Sequence, residues 1–243
     1  MLWLKSIQAE FYKIKKTKIW ALLFLSPILA GVIAYANASN YPDYKQHWEL
    51  IYNIMVVVHG TLLLPLLTGI FTAYICRYEH SNGGWKQLLV QPIARYHTYI
   101  IKFFFILLFV GTMQLLFIIS YVSVGQLLHL SSPFPLIPTL KGITGGIIAT
   151  LPLIALQLWV STIWSSFAAP IALNAIASIP ALMIANSERF GPFYPWAQPF
   201  LAMLPKEDSQ LFYISFETLV FVVIGSFVIL FIGGFVHFMK RAY

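Results

Sequence analysis

The sequence has few charged residues and a single cysteine. Only 9% of its 243 residues are Asp, Glu, Lys or Arg, whereas soluble domains carry about 25%. So few charges cannot cover a globular surface with water-facing groups, which excludes a soluble enzyme of one or two domains. With Cys76 alone, an intrachain disulfide and a cysteine-based metal cluster are also excluded. The hydrophobic residues, 59% of the chain, indicate a protein whose solvent is lipid.

Six apolar stretches are long enough to cross a bilayer, which takes about 20 helical residues. Each can satisfy its backbone hydrogen bonds within a helix, as lipid requires. The fourth and fifth are separated only by a short polar step around Ser161 and Ser166. They form a hairpin, because no bilayer is thick enough for one helix over both. We therefore predict an all-α membrane protein with six transmembrane helices at residues 19–36, 51–76, 99–130, 140–165, 167–185 and 211–239.

The basic residues concentrate in three segments that an even number of spans places on one side of the membrane. These segments are the arm 1–18, the loop 77–98 with Lys102 close behind it, and the C-terminal Lys240-Arg241. The positive-inside rule assigns that side, and hence the N- and C-termini, to the cytoplasm. The net charge of +7 is then explained by topology and anionic lipid headgroups, and we expect no nucleic-acid partner.

The N-terminal arm, residues 1–18, has a helical pattern. Leu4, Ile7, Phe11 and Ile14 follow a spacing of three to four residues, with lysines on the other face. This pattern favours an interfacial amphipathic helix that contacts membrane lipids over a disordered basic flank. Residues 36–38, Ala-Asn-Ala, also resemble a signal-peptide cleavage site, but the preceding apolar run is long for a signal peptide.

Polar residues within the spans are candidates for a translocation cavity, because they are costly in lipid. They are His59, Gln114, Asn174 and Glu217. The alternatives are hydrogen bonds between helices for His59 and Gln114, and an interfacial carboxylate for Glu217. No helical pair of metal ligands such as H-E-x-x-H is present, so we expect no metal site.

Residues 186–210 combine prolines with aromatic residues. Proline precludes a continuous helix, and aromatic residues favour the headgroup zone. We predict a broken, re-entrant segment that acts as an outer gate, although an interfacial loop without a gating role fits the same composition. The gate residues would be Phe193, Tyr194, Pro195, Trp196 and Pro199.

The loop after the second predicted span carries the most specific pattern. It has the sequence R-Y-E-H-S-N-G-G-W-K-Q-L-L-V-Q-P-I-A-R-Y-H-T-Y-I-I-K, from Arg77 to Lys102. Asn82-Gly83-Gly84 breaks the chain, Trp85–Val90 has helix-forming residues with apolar positions on one side, and Pro92 ends the pattern. We predict a short helix parallel to the membrane that offers a surface to a soluble partner.

This loop resembles the signature loop of ABC-2 type permeases, the membrane subunits of one class of ATP-driven exporters. The matching features are an acidic residue that ends span two, a glycine turn, a short helix, a proline and a basic residue. Two further segments, A-E-F-Y-K-I-K-K-T-K-I-W (Ala9–Trp20) before Pro27, and F-Y-P-W-A-Q-P (Phe193–Pro199), resemble lantibiotic-immunity and bacitracin-resistance permeases. The order of spans and loops resembles that of the family over the whole chain, and the sequence itself resembles it in three short segments.

The resemblance implies a type V exporter-like ABC-2 half-transporter in the bacterial cytoplasmic membrane, whose loop is the coupling helix for an ATP-binding subunit. For Glu79 the alternative is a local ion pair with Arg77 or a lysine. No G-x-x-x-x-G-K-[ST] motif occurs, so ATP and Mg²⁺ would be bound by a separate subunit, and this chain would be neither an enzyme nor a holder of a cofactor. The implied coupling residues are Glu79, Gly83, Gly84, Trp85, Lys86, Leu88, Leu89, Pro92 and Arg95.

The resemblance also implies a cargo and a second subunit. The cargo would be a lantibiotic or similar antimicrobial peptide, and the second permease subunit a related rather than an identical chain. Export of a lipid, polysaccharide or drug on the same scaffold is the alternative. An ATPase-independent transporter or an intramembrane enzyme would need buried carboxylates or paired catalytic groups, for which Glu217 alone is thin support.

Overall fold

The computed structural model describes residues 2–40, 47–81, 83–89, 94–187, 189–204 and 216–241. In these residues all regular structure is helical. Eleven α-helices are labelled in chain order as α1 Leu2–Lys15, α2 Ile19–Asn40, α3 Trp48–Val58, α4 Leu64–His80, α5 Gly84–Leu89, α6 Arg95–Leu127, α7 Leu136–Ile163, α8 Ala168–Ser178, α9 Ala181–Ala185, α10 Gln198–Met203 and α11 Phe216–Lys240.

Five helical runs in the described residues are long and apolar enough to cross a membrane. They are Ile19–Asn40, Trp48–His80, Arg95–Leu127, Leu136–Ile163 and Leu219–Lys240. These helices correspond to the segments predicted as spans one to four and six, with ends that differ by a few residues; residues 211–215 of the predicted sixth span lie outside the described residues. The chain is therefore an all-helical protein that crosses the membrane several times.

The predicted fifth span, 167–185, is not one helix. The structure divides it into α8 and α9, with a turn at Ile179-Pro180. Pro180 has no N–H for the helical ladder, and its ring collides with a carbonyl one turn earlier, so the helix stops before it. Two helices of 11 and 5 residues replace the predicted span, and the total of six spans stays a prediction.

The second span also changes geometry half-way along its length. Between α3 and α4 the residues His59–Leu63 form a π-helical turn, in which the N–H of Leu64 bonds to the carbonyl of His59, five residues earlier. Pro65 follows directly and cannot bond to the carbonyl four residues before it. The wider turn accommodates this lost bond without ending the helix.

Hydrogen bonds between helix ends show which segments share one end of the bundle. His80 Nε2 lies 2.7 Å from the carbonyl oxygen of Ser161, and Arg95 Nη1 lies 3.1 Å from that of Met239. At the opposite end, Trp48 Nε1 donates to the carbonyl of Ser132. The three basic segments thus lie together at what we call the α5 end, and the assignment of that end to the cytoplasm stays a prediction.

The core lies around α6, whose aromatic residues pack against α2 and α3–α4. Phe109 is fully buried and contacts the ring of Trp20 edge-on at 5.3 Å, and Phe117 contacts the ring of Tyr52 in the same way at 6.1 Å. Large side chains on α11, such as Phe221 and Ile229, are instead more than 70% exposed. In a membrane this face of α11 contacts lipid or another subunit.

Candidate functional site

The loop after α4 folds back tightly to form α5. Gly83 has a φ of +72°, in the left-handed region that favours glycine. A Cβ atom built on Gly84 would lie 2.9 Å from Cα of Glu79, closer than real Cβ atoms approach. The two glycines therefore permit the turn and bring α5 directly against the end of α4.

The side chains of α5 divide into an inner and an outer set. Trp85 is buried, Leu88 is half-buried, and Lys86 and Gln87 are exposed. Leu89 ends the helix, but its side chain lies outside the described residues, as does Pro92. Among the described side chains of α5, the exposed ones are therefore Lys86 and Gln87.

Trp85, one of the predicted coupling residues, faces the bundle. Its indole N–H donates to Nδ1 of His80 at 3.2 Å, and its ring packs edge-on against Phe238 of α11 at 5.4 Å. Only 4% of its surface is exposed. This burial is what an amphipathic six-residue helix requires of its largest apolar side chain, and the coupling role of Trp85 stays a prediction. Trp85 anchors α5 to α4 and α11.

Four charged residues meet behind α5, in what we call the charge cluster: Glu10, Lys13, Glu79 and Lys102. Glu79 Oε1 lies 2.7 Å from Nζ of Lys13, and its Oε2 lies 2.9 Å from Nζ of Lys102. Glu10 lies 2.9 Å from Lys13 and 3.3 Å from Lys102. The partners of Glu79 are thus two lysines from α1 and α6. The alternative partner Arg77 instead lies over the ring of Phe167.

The charge cluster is electrically neutral and mostly buried. Glu79 and Lys102 are at most 2% exposed, and Glu10 is 6% exposed. Lys102 also donates to the carbonyl of Ile75 at 3.0 Å. Buried charges are tolerated only when they are paired and hydrogen-bonded, so each acid here needs its lysine. The cluster fixes α1 against the bundle.

Arg95, also predicted for coupling, caps a helix. It donates from Nη1 to the carbonyls of Met239 and Arg241, both at 3.1 Å. A cation at the last carbonyls of a helix satisfies acceptors that lack an intrahelical partner and complements the helix dipole. Arg241 makes an equivalent contact, at 2.9 Å, with the carbonyl of Thr162 at the end of α7. These caps join α6, α7 and α11 at the α5 end.

His59 and Gln114, predicted as cavity residues, lie side by side in the core. Both are fully buried. His59 Nδ1 is 2.6 Å from Oγ of Ser26 on α2, and the amide nitrogen of Gln114 is 3.5 Å from the sulfur of Met203. Cross-helix contacts of this kind favour the interpretation of these two residues as links between helices.

Asn174 is the centre of a second buried group, which we call the Asn174 hub. Its Oδ1 accepts from Nε2 of Gln157 at 3.0 Å and from the indole of Trp196 at 2.6 Å. Its Nδ2 donates to the carbonyls of Pro65 and Leu66 at 2.9 and 3.1 Å. One amide thus joins α4, α7, α8 and the segment before α10, and all its hydrogen-bonding capacity is used. Asn174 is therefore a structural link and not a free polar group in a cavity.

The described residues form a helical bundle with a short helix anchored at one end. Comparison with known protein families shows which family this chain belongs to. The family model described as ABC-2 family transporter protein matches residues 6–181, well over half of the chain. The chain belongs to this family. No curated protein matches the sequence.

ABC-2 membership fixes the general role and location of the protein. It is a permease that crosses the cell membrane several times, as the five apolar helices also require. Permeases of this family usually associate with ABC ATP-binding subunits. Among the described residues, no group of three or more His, Cys, Asp and Glu side chains could hold a metal ion.

In this ABC-2 permease the predicted outer gate reaches into the bundle. Trp196 and Pro199 are buried, Tyr194 and Pro195 are half-buried, and only Phe193 is exposed. The Tyr194 hydroxyl donates to the carbonyl of Ala177 at 2.7 Å, and burial raises its pKa, which keeps it a donor. Because Pro65 lies half-way along its span, Trp196 is held near the middle of the bundle through Asn174.

The short helix α10 packs closely against glycines of α7. A Cβ on Gly145 would lie 2.8 Å from the carbonyl oxygen of Ala202, and one on Gly142 would lie 2.9 Å from that of Met203. Tyr52 of α3 donates to the same Met203 carbonyl at 3.0 Å. Packing within the chain therefore explains these small residues.

Glu217 stands apart from the other predicted cavity residues. It is exposed in the first turn of α11, whereas His59, Gln114 and Asn174 are buried. Its position fits the interfacial carboxylate that was the alternative interpretation.

Sequence reasoning did not identify Glu10 and Lys13 as site residues. Glu10 offered a signal, because it is the one acidic residue in an arm with five lysines. A carboxylate surrounded by lysines is placed to form an ion pair, and acidic residues contribute little to membrane topology. Lys13 follows Glu10 by three residues, a spacing that permits an ion pair on a helix, but its other partner, Glu79, is 66 residues away and gave no local signal.

Proposed function

We propose that this ABC-2 permease is the membrane-spanning subunit of an ATP-driven exporter that expels a lantibiotic or similar antimicrobial peptide from the membrane. The observation that carries the proposal is the geometry of α5. This helix is fixed to the bundle by Trp85 while Lys86 and Gln87 face outward. A partner that moves α5 therefore moves α4 and α11 with it.

ATP and Mg²⁺ would be bound by the partner subunit, and this chain would transmit the motion. A push on Lys86 and Gln87 reaches His80 through the Trp85 indole, and His80 contacts the end of α7. The charge cluster lies directly behind, so α1 and α6 move with the same element. A second permease subunit, a related chain by resemblance, would complete the transporter as a heterodimer.

The cargo is the more specific part of the proposal. Two of the three segments that carry the resemblance are similar to segments of lantibiotic-immunity and bacitracin-resistance permeases. In the second of them, Phe193 is 65% exposed, next to Phe190 at 62%. An amphipathic peptide already in the membrane would contact such apolar surface laterally, with no need for matched charges.

Co-purification tests the exporter role. The permease, extracted from its native membranes in mild detergent, is expected to bring with it an ATP-binding subunit and a second permease, both identified by mass. Lys86→Glu reverses a charge on the outer face of α5 and is expected to lose the ATP-binding subunit. Lys141→Glu makes the same change at an exposed position near the start of α7 and is expected to retain it. A permease that purifies without an ATP-binding subunit contradicts the proposal.

A resistance panel tests the cargo separately. Cells that express the complete transporter are expected to tolerate lantibiotics, and the Lys86→Glu variant is expected to lose that tolerance while Lys141→Glu keeps it. Tolerance of a small-molecule drug in place of the peptides would overturn the cargo and leave the exporter role intact.

A further inference from the structure

A cleft at the α5 end is lined in part by groups that the transport mechanism does not use, namely the Arg77 guanidinium and the hydroxyls of Ser161, Ser165 and Ser166. It lies between the end of α4, the end of α7 and the start of α8, and is partly open to solvent. Its polar lining comes from Arg77, His80, Ser161, Ser165 and Ser166.

The free groups of this cleft are hydrogen-bond donors. The Arg77 guanidinium is exposed and lies 4.9 Å above the Phe167 ring, with no carboxylate partner among the described residues. Ser161 is 2% exposed, and its hydroxyl has no hydrogen-bond partner in the described part of the chain. The start of α8 adds little to these donors, because the N–H of Ala169 already bonds to Ser166 Oγ at 3.4 Å and Pro170 has no N–H. Guanidinium and hydroxyl groups together favour an anion.

The competing acceptors near the cleft are already occupied. His80 Nε2 contacts the carbonyl of Ser161 at 2.7 Å, and Arg241 donates to that of Thr162 at 2.9 Å. A carbonyl only accepts and the Trp85 indole only donates, so His80 is the neutral tautomer with its proton on Nε2. Glu79, the nearest acid in sequence, is paired with Lys13 and Lys102. The groups of the cleft that can still bind a ligand are thus the positively charged Arg77 guanidinium and the serine hydroxyls.

We propose that this cleft binds the phosphate of an anionic phospholipid headgroup. The cleft lies at the ends of membrane-spanning helices, at the end where the basic segments cluster, which is the depth of headgroup phosphates. Arg77 holds the phosphate in its planar fork, and the hydroxyls of Ser161 and Ser165 complete the hydrogen bonds. The proposal is independent of the exported cargo, since lipid binding is measurable without transport.

Native mass spectrometry of the full-length permease tests the proposal. The protein is reconstituted in nanodiscs of phosphatidylcholine with or without phosphatidylglycerol, and the lipids that it retains are counted. Wild type is expected to retain phosphatidylglycerol in preference to phosphatidylcholine. Arg77→Gln is expected to reduce that preference about tenfold, Ser161→Ala to reduce it less, and Arg77→Lys to restore part of it.

Arg189→Gln is the matched control, because Arg189 is likewise exposed and lies over an aromatic ring, that of Phe190. It is expected to retain phosphatidylglycerol as wild type does. Equal retention by Arg77→Gln and wild type would overturn the site. A separate titration with inorganic phosphate in phosphatidylcholine nanodiscs identifies the source. Phosphate binding that depends on Arg77, without any preference for phosphatidylglycerol, would overturn the lipid assignment.

Discussion

The ammonium group of Lys102 lies 5.6 Å from the centre of the Trp85 ring, within the range of a cation–π contact. Lys102 also pairs with Glu79 and Glu10, whereas Trp85 anchors α5. The charge cluster and α5 are therefore in contact through these two side chains. Any displacement of α5 acts directly on the pairs that hold α1.

Lys102→Met is expected to destabilise the permease by about 3–5 kcal/mol. It removes the cation that pairs with both acids and leaves Glu79 and Glu10 with one lysine between them. Thermal unfolding of the detergent-solubilised protein measures the loss. Lys141→Met is the control, since Lys141 is exposed and forms no ion pair among the described residues; a similar loss in both variants would contradict the role of the cluster.

Glu79→Gln combined with Lys102→Met is expected to destabilise less than the sum of the two single changes. The double variant removes one charge of each sign and leaves the Glu10–Lys13 pair intact. Residues in one ion-pair network show interaction energies of about 0.5–3 kcal/mol in such cycles. Unfolding of all four proteins under one condition gives this energy, and strict additivity would show that the pair is not coupled.

Trp85→Ala is expected to cost about 3–5 kcal/mol, as for other buried aromatic residues, and to release α5 from α4 and α11. Gln87→Ala, two residues along the same helix but exposed, is expected to leave stability unchanged. Thermal unfolding and limited proteolysis near residues 82–90 distinguish the two. If Trp85→Ala unfolds like wild type, then Trp85 is not the anchor of α5.

Much of the fold follows from the sequence because lipid imposes simple rules. Apolar runs of sufficient length must be helices, and the runs that became α2, α6, α7 and α11 are continuous in the structure. The turn before α5 was also predictable, since Gly83 and Gly84 are needed there for local reasons. The break at Pro180 was not predicted, because proline is common within transmembrane helices and its composition signal is weak.

The contacts of the site were less predictable, because they depend on tertiary packing. Lys13 is 66 residues from Glu79 in sequence, and Trp196 is 22 residues from Asn174. Nothing local relates such pairs. The aromatic composition of 186–210 indicated a headgroup location for Trp196, whereas its single N–H is satisfied deeper in the bundle by the Asn174 hub.

Trp196→Phe is expected to loosen the segment before α10 at a cost of about 1–3 kcal/mol. The change keeps an aromatic ring but removes the N–H that Asn174 accepts at 2.6 Å, so a buried acceptor loses one donor. Trp164→Phe is the control, because Trp164 is 40% exposed and should tolerate the change. Hydrogen exchange of residues 189–204 in nanodiscs measures the loosening, and unchanged exchange in Trp196→Phe would exclude the indole bond as a restraint.

Gly145→Ala is expected to displace α10 and to destabilise the permease by about 1–3 kcal/mol through overpacking. The added methyl would lie 2.8 Å from the carbonyl oxygen of Ala202, and a backbone atom cannot turn away as a flexible side chain can. Gly225→Ala, within α11, is the matched control because a Cβ there meets nothing within 4 Å. Its helix is expected to gain slightly from the lost glycine flexibility. Thermal unfolding of both variants gives the comparison. The new methyl contacts α10, so hydrogen exchange at residues 198–203 is expected to increase in Gly145→Ala. A loss of stability without this increase would contradict the displacement of α10.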